Sequence, residues 1–157
     1  MIRKGKDMNY LLINDFSNVF FQQAFKEYFK ELEMEVNDWN ALFASMNSQG
    51  GNLAYLLLNN GECLGFIQFR SEQTGHWFIT ENFGFIREFW IRPTDRKKNF
   101  GRALLKKAEK YFVEQGILKT LLTTDTSSAF YVKNGYKEVK SYKALNNDPV
   151  YSKELDS

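Results

Sequence analysis

The chain has one cysteine, one histidine and two prolines among its 157 residues, and each scarcity excludes something. A single thiol, Cys63, cannot close an internal disulfide, and its place in the run Cys63-Leu64-Gly65-Phe66-Ile67 marks a buried strand residue rather than a nucleophile. The single histidine, His76, lies beside Trp77 and reads as a solvated loop residue. No group of His, Cys and carboxylates has ligand spacing, so no metal is expected. No apolar stretch approaches the ~18 residues of a membrane span, and Met1–Asp7 lacks the apolar core of a signal peptide; a cytoplasmic protein without a membrane partner is expected. Neither charge sign dominates. The 21 basic and 19 acidic residues leave +2, too little for a broad field that would recruit nucleic acid, so any anion site must be local.

What is present is a soluble-protein composition, 43% hydrophobic and 25% charged, in a length that suits one domain, residues 1–157, with its own core. No repeat, linker or low-complexity segment interrupts it. The aromatic share is high at 17%, which fits a bulky core and equally an aromatic-lined pocket.

Tyr10–Ile13 reads as a first strand, followed by a helix cap at Ser17. Phe21, Ala24, Phe25, Tyr28, Phe29 and Leu32 recur at three- and four-residue spacing, which predicts one amphipathic helix over Val19–Met34. A second, shorter helix starts at the cap Asn37 or Asp38 and is broken by Gly50-Gly51. Leu53–Leu58 and Cys63–Phe69 should pair antiparallel through Asn59-Asn60-Gly61-Glu62, because Asn-Gly suits a hairpin turn. The polar stretch from Glu72 reads as a loop, and Phe83–Ile91 as an interior strand ended by Pro93. Asn99–Gln115 is an amphipathic helix with Gly116 at its end. Strands over Ile117–Thr124, Tyr136–Tyr142 and Val150–Leu155 and a short helix over Ser127–Lys133 complete the chain.

The chemically informative unit joins the strand ending at Arg92 to the helix beginning near Asn99 through Arg96-Lys97-Lys98-Asn99-Phe100-Gly101-Arg102-Ala103. A helix start offers backbone amides without internal partners and a favourable dipole, and Gly101 lets a phosphate approach closely. Arg96, Lys97, Lys98 and Arg102 add charged donors. By themselves these residues equally describe a solvated charge cluster. Neither G-x-x-x-x-G-K-S/T nor G-x-G-x-x-G follows the strand, which disfavours NTPase and dinucleotide sites.

The segment resembles the pyrophosphate loop Arg/Gln-x-x-Gly-x-Gly/Ala of the GNAT family of N-acetyltransferases, with Asn99 where the family usually has Gly. Asn is the residue next best able to take positive φ. A second family signature, Ala-x-x-Phe-Tyr-x-x-x-Gly-Phe/Tyr, is matched by Ser127-Ser128-Ala129-Phe130-Tyr131-Val132-Lys133-Asn134-Gly135-Tyr136. The resemblance spans roughly residues 9 to 155. It implies a mixed, mostly antiparallel α/β sheet of six to seven strands flanked by helices, and acetyl-CoA as co-substrate.

The same resemblance implies that the backbone of Phe89, Trp90 and Ile91 holds pantetheine, that Arg96 to Ala103 hold pyrophosphate, and that Ser127, Phe130 and Lys133 belong to the cofactor side. Tyr131 matches the thiol-protonating tyrosine, with core packing as the other reading. Glu88 sits where some members hold a base, and can equally pair with Arg87 or Arg70. The acceptor pocket is expected from Phe25–Met46 and Glu72–Asn82, for an amine on a small molecule or a peptide. Monomer and homodimer both stay open. A catalytically silent acyl-CoA sensor is the alternative, and a nucleic-acid module using Arg92 and the loop cations is the weaker rival.

Overall fold

The computed structural model describes residues 8–156; Met1–Asp7, read above for a leader, lie outside the described residues. Local chemistry sets most boundaries. Strand β1 (Met8–Ile13) ends at an Asp15 turn, and helix α1 (Val19–Glu31) is capped by Asn18, whose side chain accepts from the Phe21 N–H at 3.0 Å. Ser17 is therefore not the cap: its N–H and hydroxyl both donate to Asp15 Oδ1. Nor does α1 reach Met34, because Glu33 turns to φ 56°, a left-handed conformation that stops a helix. Helix α2 (Trp39–Gln49) is capped by Asp38 and ends at Gly50.

Strands β2 (Leu53–Asn59) and β3 (Glu62–His76) are antiparallel, with Tyr55 opposite Ile67. Asn60 and Gly61 both take positive φ, 52° and 78°, as a two-residue hairpin turn whose twist matches its strands requires. Two residues separate strand β4 (Ile79–Ile91) from the end of β3. The expected loop over Glu72–Asn82 is thus a hairpin, and His76 closes a strand. Alternation of polar residues satisfied the ladder there without an apolar pattern to announce it. At its tip Trp77 is 87% and Phe78 99% exposed.

A 3-10 turn (Pro93–Asp95) leads to helix α3 (Phe100–Glu114), which closes at Gly116, φ 76°. Strand β5 (Lys119–Thr123), helix α4 (Ser128–Lys133), strand β6 (Lys137–Val139) and strand β7 (Val150–Glu154) follow. β6 is shorter than Tyr136–Tyr142, since Tyr136 itself is drawn into the interior. Hydrogen bonds join the seven strands in the order β1-β2-β3-β4-β5-β7-β6. β4 and β5 run parallel, registered at Gly84 with Thr120 and Phe85 with Leu121.

Two compact units share this chain. One runs to Phe69 and resumes over Glu88–Ala108; the other takes Arg70–Arg87 and the residues from Glu109 onward. In the first, α1 and α2 cover β2 and β3 with an aromatic core: Phe21, Phe25, Phe43 and Phe66 are each at most 2% exposed, and their rings meet edge-on or tilted at 5.2–6.0 Å, the arrangement aromatic quadrupoles favour. In the second, Phe112 of α3 lies so close over Gly84 that a β-carbon there would overlap its ring. Tyr136, Leu121, Leu122 and Val150 fill the rest of that interior.

Candidate functional site

The basic loop before α3 is built by a chain of ion pairs in the first unit. Arg92 donates from Nε to Asp95 Oδ2 at 2.7 Å and from Nη1 to Glu62 Oε2 at 3.1 Å. Lys98 Nζ reaches Asp95 Oδ1 at 3.3 Å. Burial works against ionising Asp95, which is 8% exposed, but Arg92 and Lys98 outweigh it and hold its carboxyl below the usual value. Arg96 forks onto Glu31 with Nη1 and Nη2 at 2.8 and 2.7 Å, and its Nε donates to the Ile91 carbonyl at 2.8 Å. Trp90 Nε1 donates to the same Glu31 at 2.7 Å.

Glu31 stands at the last residue of α1, where the helix dipole disfavours a negative charge. Its placement makes sense only through these tertiary partners. The Arg96 hydrogen bonds, and to a lesser degree the Trp90 bond, carry its carboxyl below the ordinary range against the opposing effect of burial.

Ahead of α3, Lys97 and Asn99 both adopt left-handed φ, 65° and 66°. Asn99 thus takes the positive φ expected of it, and Lys97 adds a second left-handed residue. The Ala103 N–H donates to Asn99 O at 3.1 Å, so the amides of Phe100, Gly101 and Arg102 precede the first intrahelical bond and face outward. Of the four loop cations, Arg96 and Lys98 are committed to Glu31 and Asp95, whereas among the described residues Lys97 and Arg102 have no acidic partner. Those two cations, the free amides and the dipole are the features an anion site is made of.

On β4, Glu88 is half-buried and accepts the Tyr28 hydroxyl at Oε2, 2.7 Å. It pairs with neither Arg70 nor Arg87. Arg70 turns to Glu72 at 2.6 Å. Phe89 and Ile91 are half-buried and Trp90 is buried, 5% exposed. β4 and β5 are registered in parallel at Gly84 and Phe85, short of Glu88 to Ile91. Of the expected acceptor-pocket residues, Phe43 is core, the half-buried Phe29 and Trp39 pack against Phe25 beside it, and Trp77 and Phe78 stand exposed at the hairpin tip. An open hollow of about 380 Å³ lies where α1 hands over to α2, edged by Lys26, Lys30 and Trp39.

In the second unit Ser127 precedes α4, and its N–H donates to Thr124 Oγ1 at 3.0 Å. Phe130 is half-buried and Lys133 exposed. Tyr131 is 7% exposed, its ring edge-on to Phe130 at 5.2 Å and to Tyr136 at 5.6 Å. Behind it the Tyr136 hydroxyl donates to Glu109 Oε2 at 2.8 Å, and Lys153 Nζ donates to both Glu109 oxygens at 3.0 and 3.2 Å. Burial first, then the Glu109 charge, push the Tyr136 hydroxyl far above its normal pKa. Tyr136 is therefore a locked donor.

Each unit thus assembles its own share of the expected residues. Glu88 to Ala103 gather in the first, and Ser127, Phe130, Tyr131 and Lys133 in the second. Glu31, Tyr28, Asp95 and Glu109 were not foreseen as supports. Asp95 carried a signal, as the lone acid in the basic run Arg92–Lys98; Glu31 carried one as an acid at a helix end. Burial lifts the Cys63 thiol to about 11, consistent with an inert strand residue. Among the described residues no three His, Cys, Asp or Glu cluster as metal ligands, and no helix is long and apolar enough to cross a membrane.

Fold and loop together define a class, the acyltransferases built on a seven-stranded mixed sheet. The family model "Acetyltransferase (GNAT) family" matches residues 12–136, and the chain belongs to that family of N-acetyltransferases. An acetyltransferase of the GNAT family from Staphylococcus aureus is similar at a TM-score of 0.70 and 18% identity, covering 95% of this chain and 99% of that one. A predicted acetyltransferase from Clostridium acetobutylicum, solved with acetyl-CoA, gives 0.72 at 17% identity over 88% and 96%. The PaiA N-acetyltransferase of Thermoplasma acidophilum, in complex with coenzyme A, gives 0.62 at 18% over 94% and 99%. No curated protein matches the chain.

Proposed function

We propose that residues 1–157 act as one N-acetyltransferase domain that moves the acetyl group of acetyl-CoA onto an amine by direct attack. The observation that carries this reading is the loop before α3, where left-handed Lys97 and Asn99 precede the free amides of Phe100 to Arg102 and two cations stay uncommitted. Pyrophosphate is the dianionic group such a loop suits. The family membership and the acetyl-CoA and coenzyme A carried by two of the similar structures support the choice of cofactor.

The loop residues divide the work. Lys97, Arg102 and the amides of Phe100, Gly101 and Arg102 hold phosphate, while Arg96, Lys98 and Asn99 fix the loop's shape and the Ala103 N–H closes the helix onto Asn99. The backbone of Phe89, Trp90 and Ile91 takes the pantetheine amides, and the family motif assigns Ser127, Phe130 and Lys133 to the cofactor as well. The acceptor nitrogen attacks the thioester carbon, the C–N bond forms and the C–S bond breaks. The amine proton passes to Glu88, and the Tyr131 hydroxyl protonates the departing thiolate, whose basicity a phenol of pKa about 10 matches. The Tyr28 bond holds the Glu88 carboxylate in place for its share. The expected setting is the cytoplasm.

Calorimetric titration of wild type and Gly101→Glu with acetyl-CoA, coenzyme A and ATP tests the reading. Micromolar binding of acetyl-CoA and coenzyme A, lost in the variant while its melting temperature holds, is the expected result. A wild type that binds no acetyl-CoA sinks it.

A further inference from the structure

The hairpin that joins β3 to β4 turns on Trp77 and Phe78, 87% and 99% exposed, and Ile79 after them is 77% exposed. Trp77 takes φ 59° and Phe78 a negative φ. A two-residue hairpin turn with positive φ at its first position selects glycine, and a bulky side chain there is strained. The β2–β3 hairpin of the same chain meets its own demand for positive φ with Asn60-Gly61. The β3–β4 turn instead holds two aromatic side chains in water, against turn chemistry and hydration alike. Such a local conflict marks a position kept for contact.

The ribbon behind this tip has no third strand to pair with. β2 begins at Leu53, opposite Phe69, so β3 runs from Arg70 to His76 past the end of its neighbour. β5 begins at Lys119, one residue before Thr120, the partner of Gly84, so Ile79 to Asn82 of β4 precede it. Two strands with only each other for pairing are marginal in water unless something packs on them. Glu81 ties the base of the ribbon, accepting from the Tyr142 hydroxyl at 2.7 Å and facing Lys119 at 3.6 Å.

Charge decides what can cover the tip. Gln73 to Thr80 contains no Lys, Arg, Asp or Glu, and the charges that bracket it are Glu72, paired with Arg70 at 2.6 Å, and Glu81. An anionic bilayer or a nucleic acid is attracted by Lys and Arg beside the contact, and acids stand there instead. An apolar tip without charge is complementary to a copy of itself, as a two-fold interface requires. Aromatic side chains bury about 150–250 Å² each, so with Ile79 the tip covers about 500 Å² per copy and about 1,000 Å² per pair, where specific interfaces begin. We infer that the β3–β4 hairpin tip is a homodimer contact, in which Trp77, Phe78 and Ile79 of two copies pack on one another about a two-fold axis. This holds or fails independently of the acetyl-transfer reading.

The test compares wild type with the triple substitution Trp77→Gly, Phe78→Asn, Ile79→Thr, which gives the turn residues its φ angles favour. Sedimentation velocity from about 1 to about 200 µM should show wild type passing from monomer to dimer, as so small an interface allows, and the variant staying monomeric throughout. At the dilute end, where both are monomers, the variant should melt at the same temperature or higher. Native mass spectrometry of a mixture of the two should show no mixed dimer, because a tip-to-tip contact needs both tips. Wild type that stays monomeric overturns the inference, and its co-sedimentation with phosphatidylcholine vesicles would reassign the tip to a lipid surface. A dimer that survives in the variant overturns it too. So does a mixed dimer, which would place the partner of the tip elsewhere on the chain, or a dilute variant that melts lower, which would show that these side chains serve the fold of one copy.

Discussion

The two compact units handle charge in opposite ways. Around the loop of the first, ion pairs sit at the surface: the side chains of Arg96 and Glu31 are 43% and 37% exposed, and Lys98 is 53% exposed. In the second, one carboxylate, Glu109, is sealed in at 6% exposure between Lys153 and the Tyr136 hydroxyl. The first arrangement is screened by salt and can release a cation to a ligand. The second cannot, since breaking it strands a buried charge. The proposed anion-binding loop and tyrosine scaffold call for these different properties: the loop would keep spare positive charge accessible, and the ring beside Tyr131 would stay fixed.

The largest effect that would break this contrast is in the scaffold. Glu109→Ala leaves Lys153 and the Tyr136 hydroxyl without their acceptor, and a loss of about 3–5 kcal/mol is expected from urea unfolding. A loss below about 1 kcal/mol would mean the second unit is no more rigid than the first. Next comes the double substitution Lys97→Ala, Arg102→Ala, which touches no ion pair. It should leave the melting temperature within a degree or two while weakening acetyl-CoA binding about tenfold, and it should flatten the salt dependence of that binding. Unchanged salt dependence would remove these two cations from the anion site.

The smallest effect is in pH. The folded carboxyl of Glu31 lies below its reference value of 4.5, first because of the Arg96 hydrogen bonds, and Asp95 lies below 3.8 although burial opposes it. Depressed carboxyls stabilise the folded state above the reference values, and that contribution is lost as pH falls through the folded ones. Urea midpoints should therefore decline below about pH 4.5, and less steeply in Glu31→Gln. Parallel curves for the two proteins would show that the Glu31 pair contributes nothing to stability.

Much of the frame was legible in the residues. The α1 stripe of Phe21, Ala24, Phe25 and Tyr28, the Asn60-Gly61 turn and the Gly116 helix end are each local, so period and turn chemistry suffice to read them. The loop before α3 was legible too, down to positive φ at Asn99. The hairpin over Glu72–Asn82 was not, because a solvated pair of strands needs no apolar alternation. The aromatic residues split in a way composition could not tell: Phe43 became core and Phe78 fully exposed.

The residue order by itself determined most of the elements, the basic loop and the positions that carry Glu88 and Tyr131, because those depend on neighbours a few places away. Tertiary structure alone decided which charges are spent and which stay free. Tyr28 meets Glu88 across 60 positions, Trp90 meets Glu31 across 59, Arg96 meets Glu31 across 65 and Lys153 meets Glu109 across 44. Such pairs form when packing brings two faces together and desolvates them, and no periodicity along the chain records that.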